Sequence, residues 1–200
     1  MSRETPGTSN TFTAELSFAH IHQLEPPIQM EIARPTPDEY NVFYKEYIDQ
    51  VPDAEILGVL LSQKLRMNDL LSSFPESRID YRYAEGKWSA KEVVGHIVDT
   101  EWILTYRALR MARNDSTPLA GMDQNEVMEG ANFDDRTMQS LMDEFDHLRS
   151  ASIVLFSSFD EKIRSRSGMA SGFSFTVRAL MYIIAGHVEH HMRVLIERYL

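Results

Sequence analysis

Near the end of the chain, Gly186-His187-Val188-Glu189-His190-His191 sets two histidines four residues apart. On a helix such residues lie about 40° apart around the axis and point the same way. His187 and His191 therefore present two imidazoles on successive turns, a spacing that can ligate one cation. Leu180, Ile184, Val194 and Leu195 share their stripe, so the pair faces a core. A pair alone makes a weak site, and a third ligand belongs on another helix. His96, in Val93-Val94-Gly95-His96-Ile97, stands on the apolar side of its own segment. Three histidines from two helices leave coordination positions open, as in a reactive centre rather than a structural one. The competing reading is three histidines that are merely packed or solvated, and His190, three residues from His187, could replace either partner.

Open positions admit two chemistries. A cation can bind an external thiol and hold it as thiolate at neutral pH, or hold a water as hydroxide for hydrolysis. Three neutral imidazoles leave the centre near the cation's own charge, which suits an anionic ligand. Glu189 lies between the two ligands in sequence and points roughly 160–200° away, so it is no general base. The zincin arrangement, with its glutamate three residues before the second histidine, is absent, and with it protease chemistry. Asp99, three residues after His96, can orient a ligand or stand as a surface carboxylate. His147 reads as solvated, Arg178 as a surface residue, and Trp88 and Trp102 as packing.

The elements that must position these residues are helices. Thr36-Pro37-Asp38-Glu39 has capping-box spacing with proline at the first helical position, and the helix it opens runs to about Asp49. Asp53 can cap a second, about 54–73, with Ile56, Leu57, Leu60, Leu61, Leu65, Leu70 and Leu71 at helical spacing. Ser89-Ala90-Lys91-Glu92 is another capping box, opening a long helix to about Ala112. Arg113 to Asn132 is a loop with one short helix near 124–128. Asp134 caps a helix of about 135–158, and Ser174 caps the last, about 175–199, after a glycine- and serine-rich loop with room for a small hairpin. The fold class is all-α: a four-helix bundle with a long connection between the second and third long helices. Residues 1–30 read as a poorly ordered extension and 31–200 as the bundle domain; Met30 is an alternative start.

Thirty acidic against twenty basic residues give a formal charge of −10, which argues against nucleic acid and anionic membrane partners. No apolar run approaches a membrane span, and the N-terminus carries no secretory signal pattern. The chain has no cysteine, so any thiol chemistry needs a thiol from outside. The expected compartment is the cytoplasm.

The stretch from Lys87-Trp88-Ser89-Ala90-Lys91-Glu92 through His96 to Glu101 resembles the first histidine motif of the DinB/YfiT-like superfamily. Tyr106-Arg107-Ala108-Leu109-Arg110, Thr117 to Gln124, and Gly186-His187-Val188-Glu189-His190-His191 through Tyr199 continue the similarity. The resemblance covers roughly Arg34 to Leu200. It implies a four-helix bundle, a homodimer, and a divalent metal, zinc or nickel, held by His96, His187 and His191. It also implies a small-molecule substrate. The leading activity is transfer of a low-molecular-weight thiol such as bacillithiol, mycothiol or glutathione onto an electrophile. The alternatives are metal-dependent hydrolysis and a non-enzymatic, stress-associated metal-binding module.

Overall fold

A computed structural model describes residues 32–200, which form one compact unit; the expected N-terminal extension, with His20 and His22, lies outside the described residues. The elements run α1 (Lys45–Asp49), α2 (Ile56–Ser72), α3 (Ala90–Ala112), α4 (Gln124–Gly130), α5 (Met138–Ser157), α6 (Glu161–Arg164), β1 (Ser167–Ala170), β2 (Phe173–Thr176) and α7 (Val177–Tyr199). The long helices α2, α3, α5 and α7 make a four-helix bundle, with the long connection between α3 and α5. None of the described helices is long and apolar enough to cross a membrane.

Local chemistry explains most boundaries. At α3 the capping box is complete: Glu92 N donates to Ser89 Oγ at 3.2 Å, and Ser89 N donates to Glu92 Oε2 at 2.6 Å. At Thr36 the same motif opens only a single 3-10 turn. A second such turn follows at Val42–Tyr44, and α1 begins after it, so the expected continuous helix to Asp49 is broken. Three expected caps move by two or three residues. Glu55, Thr137 and Thr176, not Asp53, Asp134 and Ser174, accept the first free N–H groups of α2, α5 and α7. Ser174 instead lies in the hairpin, where β1 and β2 pair antiparallel with Ser167 opposite Thr176.

The core has two apolar stretches, one around Ile56, Leu60, Met111, Phe156 and Ile183, the other around Met67, Val94, Ile97, Phe145 and Leu195. Between them along the helices stand the buried polar residues Gln63, Glu101 and Arg149. Arg149 makes a two-pronged ion pair with Glu101, Nε to Oε1 at 2.8 Å and Nη2 to Oε2 at 2.7 Å, and its Nη1 donates to Gln63 Oε1 at 3.1 Å. Gln63 Nε2 in turn donates to Ala185 O at 2.8 Å. All four long helices are thereby joined just before the histidine segment of α7. This network also sets the rotation of α2: Gln63 and Met67 face inward, whereas Leu61 and Leu65, two of the apolar positions at helical spacing, are exposed.

Candidate metal centre

α3 and α7 pack side by side and carry the three histidines to one place. Each of the two central histidines follows a glycine at which a neighbour stands closer than a Cβ would allow without some shift. A Cβ on Gly95 would stand 2.5 Å from the Phe133 ring, and one on Gly186 would stand 2.0 Å from Tyr47 O. The missing side chains let the Phe133 turn and α1 press against the ligand-bearing helices.

One ring nitrogen each from His96, His187 and His191 lies within 4.8 Å of the other two. The Nε2 atoms of His96 and His187 are 3.0 Å apart. Ring centroids are separated by 4.9 Å for His96 to His187 and to His191, and by 4.4 Å for His187 to His191. Burial, with a smaller contribution from His190, lowers the His96 pKa to about 4. Burial, with His96 and His190, lowers that of His191 to about 2, and burial lowers His187 well below its ordinary value. All three rings are therefore neutral at pH 7, with lone pairs available. His191 Nδ1 is buried with no hydrogen-bond partner. A hydrogen bond between two of the rings would leave the third unsatisfied, whereas a cation among them takes up all three lone pairs. Neutral, converging imidazoles fit a divalent metal in donor type and spacing.

Aromatic rings fix the imidazoles. Tyr47 of α1 stands edge-on to His187 and His190 at 5.6 and 5.4 Å, and Trp88 lies 4.9 Å from His96. Thr100 Oγ1 is 3.5 Å from His96 Nδ1, the outer limit of a hydrogen bond. Among the described residues no carboxylate bonds to the three rings. Asp99 faces Glu144 and Arg136 instead, and does not orient His96. Glu189 points away, into a two-pronged ion pair with Arg66 and a bond from Gln63. His190 stands beside the trio without joining it, and His147 is exposed. Arg178 is partly buried and clasps Glu39, so it is a tether of the Thr36 turn rather than a free surface charge. Trp88 touches a candidate ligand, and Trp102, read as packing, is exposed and bonds Glu144.

Two cavities flank the centre. One, of about 300 Å³, is lined by His96 and His187 together with Tyr44, Tyr47, Ile103 and Arg107. The other, of about 370 Å³, is lined by His190 and His191 with Trp88, Lys87 and Tyr199. Gln124 and Asn125, which begin α4, line both. Asp123, capping α4, accepts from Asn125 N and Glu126 N.

Sequence reasoning passed over Arg107 and Tyr47. Arg107 had a signal: it is a charged residue in the stripe His96, Thr100, Leu104, Arg107, Met111 of α3, where apolar side chains are expected. Tyr47 had none, since its position depends on the approach that Gly186 permits.

Comparison with known proteins agrees with this architecture. Among curated proteins, none matches the sequence. Among the solved structures that share the fold are these two. One is YfiT from Bacillus subtilis, described as a probable metal-dependent hydrolase with an unusual four-helix bundle topology, at TM-score 0.63 and 14% identity over 82% of this chain and 90% of that one. The other is a mycothiol-dependent maleylpyruvate isomerase, at TM-score 0.58 and 15% identity over 72% of this chain and 61% of that one. The model of the DinB superfamily matches residues 63–195, which span both histidine segments, and the chain belongs to that superfamily.

Proposed function

We propose that His96, His187 and His191 hold a divalent cation, zinc or nickel, and that the protein transfers a low-molecular-weight thiol onto an electrophilic small molecule. The observation that carries the proposal is the convergence of three neutral imidazoles between two cavities. When bound, the cation would supply Lewis acidity that favours the deprotonated form of an incoming thiol. The chain contributes no cysteine of its own, so the thiol is a cosubstrate. The two cavities give each of two reactants its own wall of side chains, which favours transfer between two molecules over simple hydrolysis.

The protein's own residues do the positioning. Tyr47 and Trp88 hold the rings of His187 and His96 edge-on or tilted, limiting their rotation. Gln124 and Asn125 line both cavities and bring amide donors and acceptors to the reactants. The described residues place no carboxylate on the imidazoles, so the proton of an incoming thiol leaves to solvent or to the other reactant.

The test is elemental analysis of the purified protein, followed by turnover of monochlorobimane with and without bacillithiol, mycothiol or glutathione. Turnover that needs both metal and one of the thiols supports the proposal. Thiol-independent hydrolysis of activated esters assigns the site to hydrolysis, the activity ascribed to YfiT. Metal retention without turnover of either kind assigns it to a binding module.

A further inference from the structure

Arg107 is 5% exposed, and no carboxylate pairs with it among the described residues. Among the described residues its Nη2 donates to Ala120 O at 2.8 Å, and the Tyr44 hydroxyl stands within reach of the guanidinium. Burial pulls its pKa below the ordinary arginine value, and the neighbouring Tyr44 hydroxyl opposes that shift. The side chain lines the 300 Å³ cavity that also contains His96 and His187. A buried guanidinium without a counter-ion is expensive unless an anion from outside completes it. Asp123 lines the same cavity, where its Oδ1 accepts from Asn125 N and Glu126 N, and no ion pair joins it to Arg107.

The rest of the wall says what lies between. His96 and Arg107 are eleven residues apart on one face of α3, a rise of about 16 Å between their backbones, part of which the long arginine side chain spans. Thr100, Ile103 and Leu104 fill the interval, and Phe43 and Ile183 also line the cavity. The lining thus sets imidazoles at one end and a guanidinium at the other, with apolar Ile103 and Leu104 between them and the polar Thr100, Gln124 and Asn125 also on the wall.

We propose that this cavity binds an elongated small molecule ending in a carboxylate, with the carboxylate on Arg107 and the reactive end at His96 and His187. The planar guanidinium fork matches a carboxylate with two parallel hydrogen bonds, and the Tyr44 hydroxyl stands beside it. Only the placement of the reactive end rests on the proposed metal chemistry; the anion site does not.

The test uses EDTA-treated full-length protein in chloride-free buffer, titrated by calorimetry with hexanoate and, as the uncharged control, hexanamide. Hexanoate is expected to bind at least about tenfold more tightly, the discrimination of one charge-assisted contact. Arg107→Met should abolish that preference and Arg107→Lys should keep part of it. Equal affinity for the two probes, binding of neither, or an unchanged preference in Arg107→Met overturns the proposal. Should Arg107→Met fail to fold, the Nε–Hε resonance of Arg107 in the wild-type protein carries the test. It must shift with hexanoate and not with hexanamide; a resonance unmoved by saturating hexanoate overturns the proposal. Because the protein is stripped of metal, a chain that retains no cation after purification would sink the metal centre and leave this result standing.

Discussion

His187 Nε2 stands 3.0 Å from His96 Nε2, although 91 residues separate the two in sequence. Ligands on a single tetrahedral cation at ordinary metal–nitrogen distances stand roughly 3.3 Å apart, so the pair is close to the edge of a coordination polyhedron before any cation is considered. Replacing His187 by Ala should remove metal from the purified protein, whereas replacing exposed His147 should not. Elemental analysis of the two variants decides the matter, and equal metal content would end the assignment.

Acid should weaken the metal-free protein through the same rings. Folded His96 has a pKa of about 4, depressed from 6.5, and His191 and His187 are depressed as well. The unfolded chain then binds more protons than the folded one below pH 6.5, so stability is lost as pH falls from about 6.5 toward about 4. The loss for His96 is roughly 1 kcal/mol per pH unit across that window. Urea denaturation of EDTA-treated protein at pH 7, 5.5 and 4.5 measures it. His96→Gln should flatten the profile, and an unchanged slope would contradict the assignment.

Gly186→Ala sets two effects against each other. Alanine favours a helix over glycine by about 1 kcal/mol, but its Cβ would meet the Tyr47 carbonyl at 2.0 Å, and backbone cannot swing aside. The clash should win by about 2 kcal/mol or more, read as a lower melting temperature. Because Tyr47 packs on His187, metal affinity should fall with it. The Gly95→Ala clash is with the Phe133 ring at 2.5 Å, a side chain that can tilt, so its penalty should be smaller.

Glu101→Gln leaves the Arg149 guanidinium, itself fully buried, without its counter-ion. Breaking such a pair from one side costs about 3–5 kcal/mol, so this variant should unfold at markedly lower denaturant than wild type. Arg66→Gln, which breaks the exposed pair with Glu189, should change stability by about 1 kcal/mol or less. Similar midpoints for the two would refute the distinction.

The helices were legible wherever pattern and capping agreed, as at Ser89 and Glu92. They were misread where several polar residues compete for one cap: Asp53 yields to Glu55, and Asp134 to Thr137, through two- or three-residue differences that only packing decides. The inward face of α2 was obscured because a glutamine, Gln63, takes a core position that its hydrogen bonds to Arg149 and Ala185 justify. At the site, the three histidines were readable from a four-residue spacing and an apolar stripe. Asp99 was not, since three residues along a helix turn it toward α5 rather than the ring of His96. Tyr47 and the closeness of α1 depend on a side chain that glycine lacks, and an absence gives no positive signal in a sequence.

The Gly95-His96 and Gly186-His187 dipeptides behave as single parts. Anyone grafting this trio of imidazoles onto another helical scaffold would have to carry the glycines along with the histidines, together with the elements that lean on them. Histidines transplanted alone would keep their spacing on each helix and lose the braces that aim them.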